Sequence, residues 1–157
     1  MHVKRLLAVA ATGCALVTGV TLPATAGTSH PQAPATHQFK STIKPSKNVR
    51  SGTVLHVKGH GAKKNTQYDC LFVILHKSDY AADIGTITNV KSNKHGKVSC
   101  TKTFEPYSAA DQNGKLRHCP LTKKDAKARF RCAVVIATTT KSSATVAYFT
   151  AHGSKKA

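Results

Sequence analysis

Tryptophan is absent from this 157-residue chain, the single methionine is the initiator, and aromatic residues amount to 6%. Such a composition permits only a modest core. Carboxylates are almost as scarce: Asp69, Asp79, Asp83, Glu105, Asp111 and Asp125 are the whole set. None stands in a recognisable nucleophile, triad or acid–base motif. They read as turn and surface groups, which leaves an enzyme, for instance a protease acting on basic proteins, without support. A metal centre fares no better. The chain has nine histidines, but no tight Cys/His cluster with zinc spacing. His56 and His60 are four apart on what reads as a strand, which separates them by more than about 12 Å. With Lys58 they read as a solvated outer face. Amphipathic helices and internal repeats are also lacking.

The N-terminus is of a different kind. Met1-His2-Val3-Lys4-Arg5 is basic, Leu6 to Val20 is apolar, and Ala24-Thr25-Ala26 has the small-x-small pattern of a processing site. Residues 1–26 are therefore expected to be a signal peptide, and the protein to be secreted. The apolar run is too short for a stable membrane span. Ala11-Thr12-Gly13-Cys14 gives a rival reading, a lipid anchor on Cys14. Cleavage leaves 131 residues, one domain in size, and four cysteines: Cys70, Cys100, Cys119 and Cys132. An even count in an exported chain implies disulfides, with three pairings open. At this size two crosslinks of about 2–4 kcal/mol each would matter.

Charge is the loudest feature. The chain has 24 Lys and Arg against six acids, a formal +18. Losing Lys4 and Arg5 with the leader leaves 22 against six, or +16. Such a surface attracts polyanions through salt-sensitive forces. DNA, anionic wall polymer and lipid headgroups are the candidates, and charge that merely keeps an exported protein soluble is the competing account.

Residues 27–38, rich in Pro, Ala, Thr, Ser and His, read as a disordered lead-in. The folded domain is expected over 39–152, with a frayed tail at 153–157. Ser41-Thr42-Ile43 reads as a short strand stopped by Pro45. Thr53 to Lys58 alternates with a period of two, Thr53, Leu55 and Val57 sharing a face. Gln67 to His76 reads as a strand whose nearly continuous apolar run, Cys70 to Leu75, must be largely covered. Lys77 to Ala82 reads as a connection, Ile84 to Val90 as a β-rich run and Asn93 to Gly96 as a turn. Lys97 to Phe104 alternates again, with Val98, Cys100 and Lys102 on one side. Pro106 to Gly114 reads as a long loop, Lys115 to Cys119 as a short strand and Pro120 to Ala128 as a basic loop. Arg131 to Ala137 is the most apolar run of the mature chain, and Thr145 to Thr150 reads as its hairpin partner. Short strands between turns predict an all-β, seven-stranded, immunoglobulin-like sandwich.

The order of local patterns resembles the neocarzinostatin-like apoproteins of actinomycetes. It begins with Gly52-Thr53-Val54-Leu55-His56-Val57-Lys58-Gly59-His60-Gly61 after Pro45. Thr66-Gln67-Tyr68-Asp69 then leads into Cys70, and Gly96-Lys97-Val98-Ser99 opens the strand that ends at Phe104-Glu105. Cys119 and Cys132 bracket the approach to the last hairpin, which carries Val146-Ala147-Tyr148-Phe149. The resemblance spans about Ser41 to Phe149 and implies a disulfide-bonded sandwich with a ligand cleft at one side. In the family that cleft can hold an enediyne chromophore, and the proteins are secreted, antimicrobial and DNA-associated carriers rather than catalysts.

On this resemblance Phe72, Phe104 and Tyr107 are the cleft-lining candidates for a small apolar ligand. Cys119 is expected to pair with Cys132, and Cys70 with Cys100. The second pairing departs from the family's short-range first disulfide. The family's later cleft aromatic is replaced near Ala109-Ala110, and the chain is basic where carriers are acidic. No cofactor or metal is otherwise implied, and a monomer is expected. The longer loop up to Cys132 concentrates Lys115, Arg117, Lys123, Lys124, Lys127, Arg129 and Arg131, with His118, in seventeen residues. These are the polyanion-binding candidates. Phe130 is their only aromatic companion, so backbone contact rather than base stacking is expected. A carrier thus requires an apolar cleft near Phe72, Phe104 and Tyr107. A polyanion-binding module on the same scaffold requires the loop lysines on one face.

Overall fold

The structure, a computed structural model, describes residues 38–77, 79–140 and 142–157. The expected signal peptide, Cys14 and all but the last residue of the lead-in lie outside the described residues. In chain order the strands are β1 (Lys40–Lys44), β2 (Val54–His60), β3 (Gln67–His76), β4 (Asp79–Ala82), β5 (Thr88–Lys91) and β6 (Lys97–Thr103). They continue with β7 (Tyr107–Ala110), β8 (Leu116–Cys119), β9 (Arg131–Ala137) and β10 (Ala144–Tyr148). A short helix α1 (Lys123–Lys127) precedes β9, and a single 3-10 turn (Ile84–Thr86) separates β4 from β5.

Two antiparallel sheets face each other. One has the order β1-β2-β6; the other has β10-β9-β3, with both β4 and β5 on the far edge of β3. Counted by sheet position this is the seven-stranded sandwich expected, its last edge broken in two. β7 and β8 form a separate ribbon. Alternation decides which side chains enter the core. Leu55, Val57, Val98 and Cys100 point inward from the smaller sheet, and Tyr68, Cys70, Phe72, Ile74, Val134 and Ile136 from the larger. Cys70 is bonded to Cys100, Cα atoms 6.6 Å apart, and so ties β3 to β6 across the core. Cys119 is bonded to Cys132, with 5.9 Å between Cα atoms, and ties the ribbon to β9. At the turn before β6, Gly96 has φ +69°, and a Cβ there would lie 2.6 Å from the Ala62 carbonyl oxygen, so only glycine fits.

Four stretches differ from the sequence reading. The connection expected at 77–82 contains β4, and the loop expected at 106–114 contains β7; each is Ala-rich, and pairing rather than local preference makes it a strand. Ile84 to Val90 does not run straight. The Thr86 hydroxyl donates to the Asp83 carbonyl at 2.7 Å and accepts the Phe72 N–H at 3.2 Å, which turns the chain before β5 begins. The basic loop contains α1, started by Thr122, whose hydroxyl accepts the Asp125 N–H at 3.2 Å. The tail beyond 152 carries hydrogen bonds from Lys155 N–H to the Leu121 carbonyl and from Leu121 N–H to the Ser154 hydroxyl.

Candidate binding groove

The continuous apolar run of β3 has two faces to cover, and the opposing sheet covers only one. Tyr68, Cys70, Phe72 and Ile74 enter the core, which leaves Asp69, Leu71, Val73 and Leu75 on the outer face. Cross-strand register continues that face into apolar rows. Leu71 lies opposite Val135, which lies opposite Val146; Asp69 lies opposite Ala137, which lies opposite Ala144. On the other edge Val73 pairs with Ala82 and Leu75 with Tyr80. With Ile84, Ile87, Thr138 and Thr139 these residues line a groove of about 450 Å³. Ile84 and Ile87, 76% and 46% exposed, stand at its rim. Among the described lining residues there is no cation. The one carboxylate, Asp69, accepts a hydrogen bond from Asn89 Nδ2 at 2.6 Å.

The rim is tethered from inside the sandwich. Lys102, on the inner face of β6 as its alternation implies, is 7% exposed. Its ammonium donates to the Thr86 carbonyl and, at 3.0 Å, to the Thr88 hydroxyl. It lies 5.7 Å from the centre of the Phe72 ring. Burial pulls its pKa below the ordinary lysine range, partly offset by the Asp83 charge.

The structure brings Phe72, Phe104 and Tyr107 together, but not in this groove. Ring centroids are 6.0 Å apart for Phe72–Phe104 and 5.5 Å for Phe72–Tyr107, with Phe149 5.4 Å from Phe104. Phe72 and Phe104 are 2% and 1% exposed, so the expected cleft rings are core rings. Tyr107 is half-buried. Its hydroxyl donates to the Val73 carbonyl at 2.8 Å, and burial pushes its phenol far above the usual range. The groove sits on the odd-numbered positions of β3, the face opposite Phe72. The available signal was the lack of polar alternation from Cys70 to Leu75, which marks both faces of the strand as apolar.

The basic candidates divide. Arg117 is not a surface contact: it is 6% exposed and held by Asp111 and Asp125. Its Nε–H donates to Asp111 Oδ2 at 2.8 Å, Nη1 lies 3.4 Å from Asp125 Oδ1, and the guanidinium stacks 4.0 Å from the Phe130 ring centre. Lys115, Lys123, Lys124, Lys127, Arg129 and Arg131 are exposed. Asp125 and Ala126 turn α1 inward, which leaves Lys123, Lys124 and Lys127 on its outward side. Arg131 stacks its guanidinium 3.9 Å from the centre of the Tyr148 ring. Among the described residues no three His, Cys, Asp or Glu side chains lie close enough to hold a metal ion, and no helix is long and apolar enough to cross a membrane.

The fold and groove define a class, a disulfide-bonded immunoglobulin-like sandwich with an apolar depression on the outer face of its larger sheet. Neither a family model nor a curated protein matches the sequence. Among solved structures the chain is similar to macromomycin, with a TM-score of 0.54 and 16% identity over 70% of this chain and 96% of that one. At that identity the shared property is the fold, which is of the neocarzinostatin-like kind.

Proposed function

We propose that this protein is a secreted, non-catalytic carrier that holds a small apolar ligand in the groove on the outer face of β4, β3, β9 and β10. The observation that carries this reading is the groove itself, where Leu71, Val73, Val135 and Val146 line about 450 Å³ that the fold's own core does not need. A volume of that order suits one small molecule. On a chain of formal charge +18, a lining with Asp69 and no described cation favours a neutral or basic ligand over an acid. Likeness to macromomycin and the neocarzinostatin-like sequence patterns support a carrier role, with an enediyne-type chromophore as one cargo and an antimicrobial, DNA-associated setting. The converging groups a hydrolase needs are not part of the groove.

The test uses Nile red, a neutral apolar dye. Titrated into the oxidised protein, it should saturate at one dye per chain with little dependence on salt. Val146→Glu, which places a charge in the central row, should weaken binding at least tenfold, about 1.4 kcal/mol. Equal binding by this variant, or a signal that never saturates, would remove the groove as the site.

A second reading has its own observation. The outward lysines of α1, beside a ribbon fixed by Cys119–Cys132, form a rigid positive corner suited to the phosphates of DNA or another polyanion.

A further inference from the structure

A second concentration of uncompensated charge lies elsewhere, on the outer face of the three-stranded sheet. The alternation that buries Ile43, Leu55, Val57, Val98 and Cys100 turns the intervening residues of β1, β2 and β6 outward. Their register makes three rows across the sheet: Lys40–His60–Lys97, Thr42–Lys58–Ser99 and Lys44–His56–Thr101. All nine side chains are exposed, and no acid occurs among them. The lysines are staggered. Lys58 faces Thr42 and Ser99, and a histidine stands between Lys40 and Lys97, so no two lysines are directly opposed across a strand pair. That arrangement avoids the cost of opposed like charges in the folded sheet while leaving the summed field intact. Among the described residues the ion pairs both belong to Arg117, so none of these lysines is neutralised by an acid. Two hollows of about 480 and 400 Å³ score the face, and Lys58 lines both.

We infer that this face binds a flexible, base-free phosphodiester chain, such as a polyol-phosphate polymer, by its backbone. Positive charge, hydroxyls and ring N–H groups, with no carboxylate to repel it, fit phosphate oxygens. The cations are Lys, not Arg, which suits point contact with separate phosphates rather than forked recognition of one group. Tyr, Phe and Trp are absent from the three rows, so single-stranded nucleic acid gains no stacking platform. Among the described residues the face consists of strands β1, β2 and β6 alone, with no helix of its own to enter a duplex groove. This surface is on the opposite side of the sandwich from the carrier groove and is independent of it.

The experiment measures binding of a fluorescein-tagged glycerol-phosphate oligomer to the full oxidised chain across a salt series. Four lysines in contact give a slope of log affinity against log salt of roughly −3. K58E/K97E should flatten the slope and lower affinity at least tenfold at low salt, while K123E/K124E/K127E retains most of both. If K58E/K97E fails to fold, as judged by its circular dichroism, K40E/K44E on the edge strand serves the same purpose. The inference is overturned if the sheet variants bind as the parent does or if the helix variant alone loses binding. It is also overturned if duplex or single-stranded DNA of equal phosphate number binds more tightly than the base-free oligomer. Nile red binding should survive in the sheet variants, which separates this inference from the carrier reading.

Discussion

Arg117→Met should lower the stability of the oxidised protein by about 3–5 kcal/mol, read as a fall in the denaturant midpoint with little change in slope. The Arg117 side chain is buried between two carboxylates whose own side chains are 0% and 3% exposed. Methionine keeps contact with Phe130 but leaves both acids without a counter-charge. Burial alone opposes ionisation of Asp111, yet the N–H groups of Lys115 and Asn113 and the Arg117 guanidinium together hold its carboxyl below the ordinary carboxylate range. Because its folded pKa is depressed, its contribution is complete above the unfolded value of about 3.9 and is lost as pH falls below that. The parent should therefore lose stability on acidification below about pH 4, and Asp111→Asn should flatten that part of the profile. A triple variant, Arg117→Met with Asp111→Asn and Asp125→Asn, should recover part of the loss, since no buried charge is then left unpaired. No recovery would mean that the guanidinium acts chiefly through its stacking on Phe130.

This cluster also governs the basic corner. Asp111 closes the turn between β7 and β8, and Asp125 lies on the inner side of α1, so Arg117 fastens the ribbon to the helix. One cation from the basic stretch is spent holding the others in place. Loss of polyanion binding in Arg117→Met would therefore reflect a loosened α1 and not a lost phosphate contact.

What could be read from the chain follows from where local preference and packing agree. Strands β2, β3, β6, β9 and β10 have β-branched or alternating apolar residues, and their positions are legible to within a residue or two. Asp79-Tyr80-Ala81-Ala82 and Tyr107-Ser108-Ala109-Ala110 have no such bias. They are strands because β3 and β8 offer them an edge. The five residues of α1 are too few to display a helical period. Arg117 could not be told from its basic neighbours in sequence, because the acids that claim it, six and eight positions away, converge only when the ribbon folds against α1. His56, Lys58 and His60 lie on the solvated face that their alternation predicts. Its partners from β1 and β6 are unknowable without register.

The groove turns on parity, and adjacent residues of β3 should therefore behave as opposites. Phe72→Ala should cost about 3–5 kcal/mol. The ring is 2% exposed among Phe104, Tyr107 and Phe149, and nothing nearby can collapse into the space without disturbing the rim tether at Lys102. Leu71→Ala removes a partly buried side chain from the opposite face and should cost less, about 1–2 kcal/mol. Ligand binding should show the reverse order. Leu71 sits in the central row of the groove with Val135 and Val146, and its truncation should weaken Nile red binding about tenfold. Phe72→Ala, measured where it remains folded, should bind the dye within about threefold of the parent, or 0.7 kcal/mol. Thermal unfolding and dye titration on the two variants give four numbers. The crossed pattern requires an outer groove. A large loss of binding in Phe72→Ala with none in Leu71→Ala would return the ligand to the interior rings, where the family resemblance alone would place it.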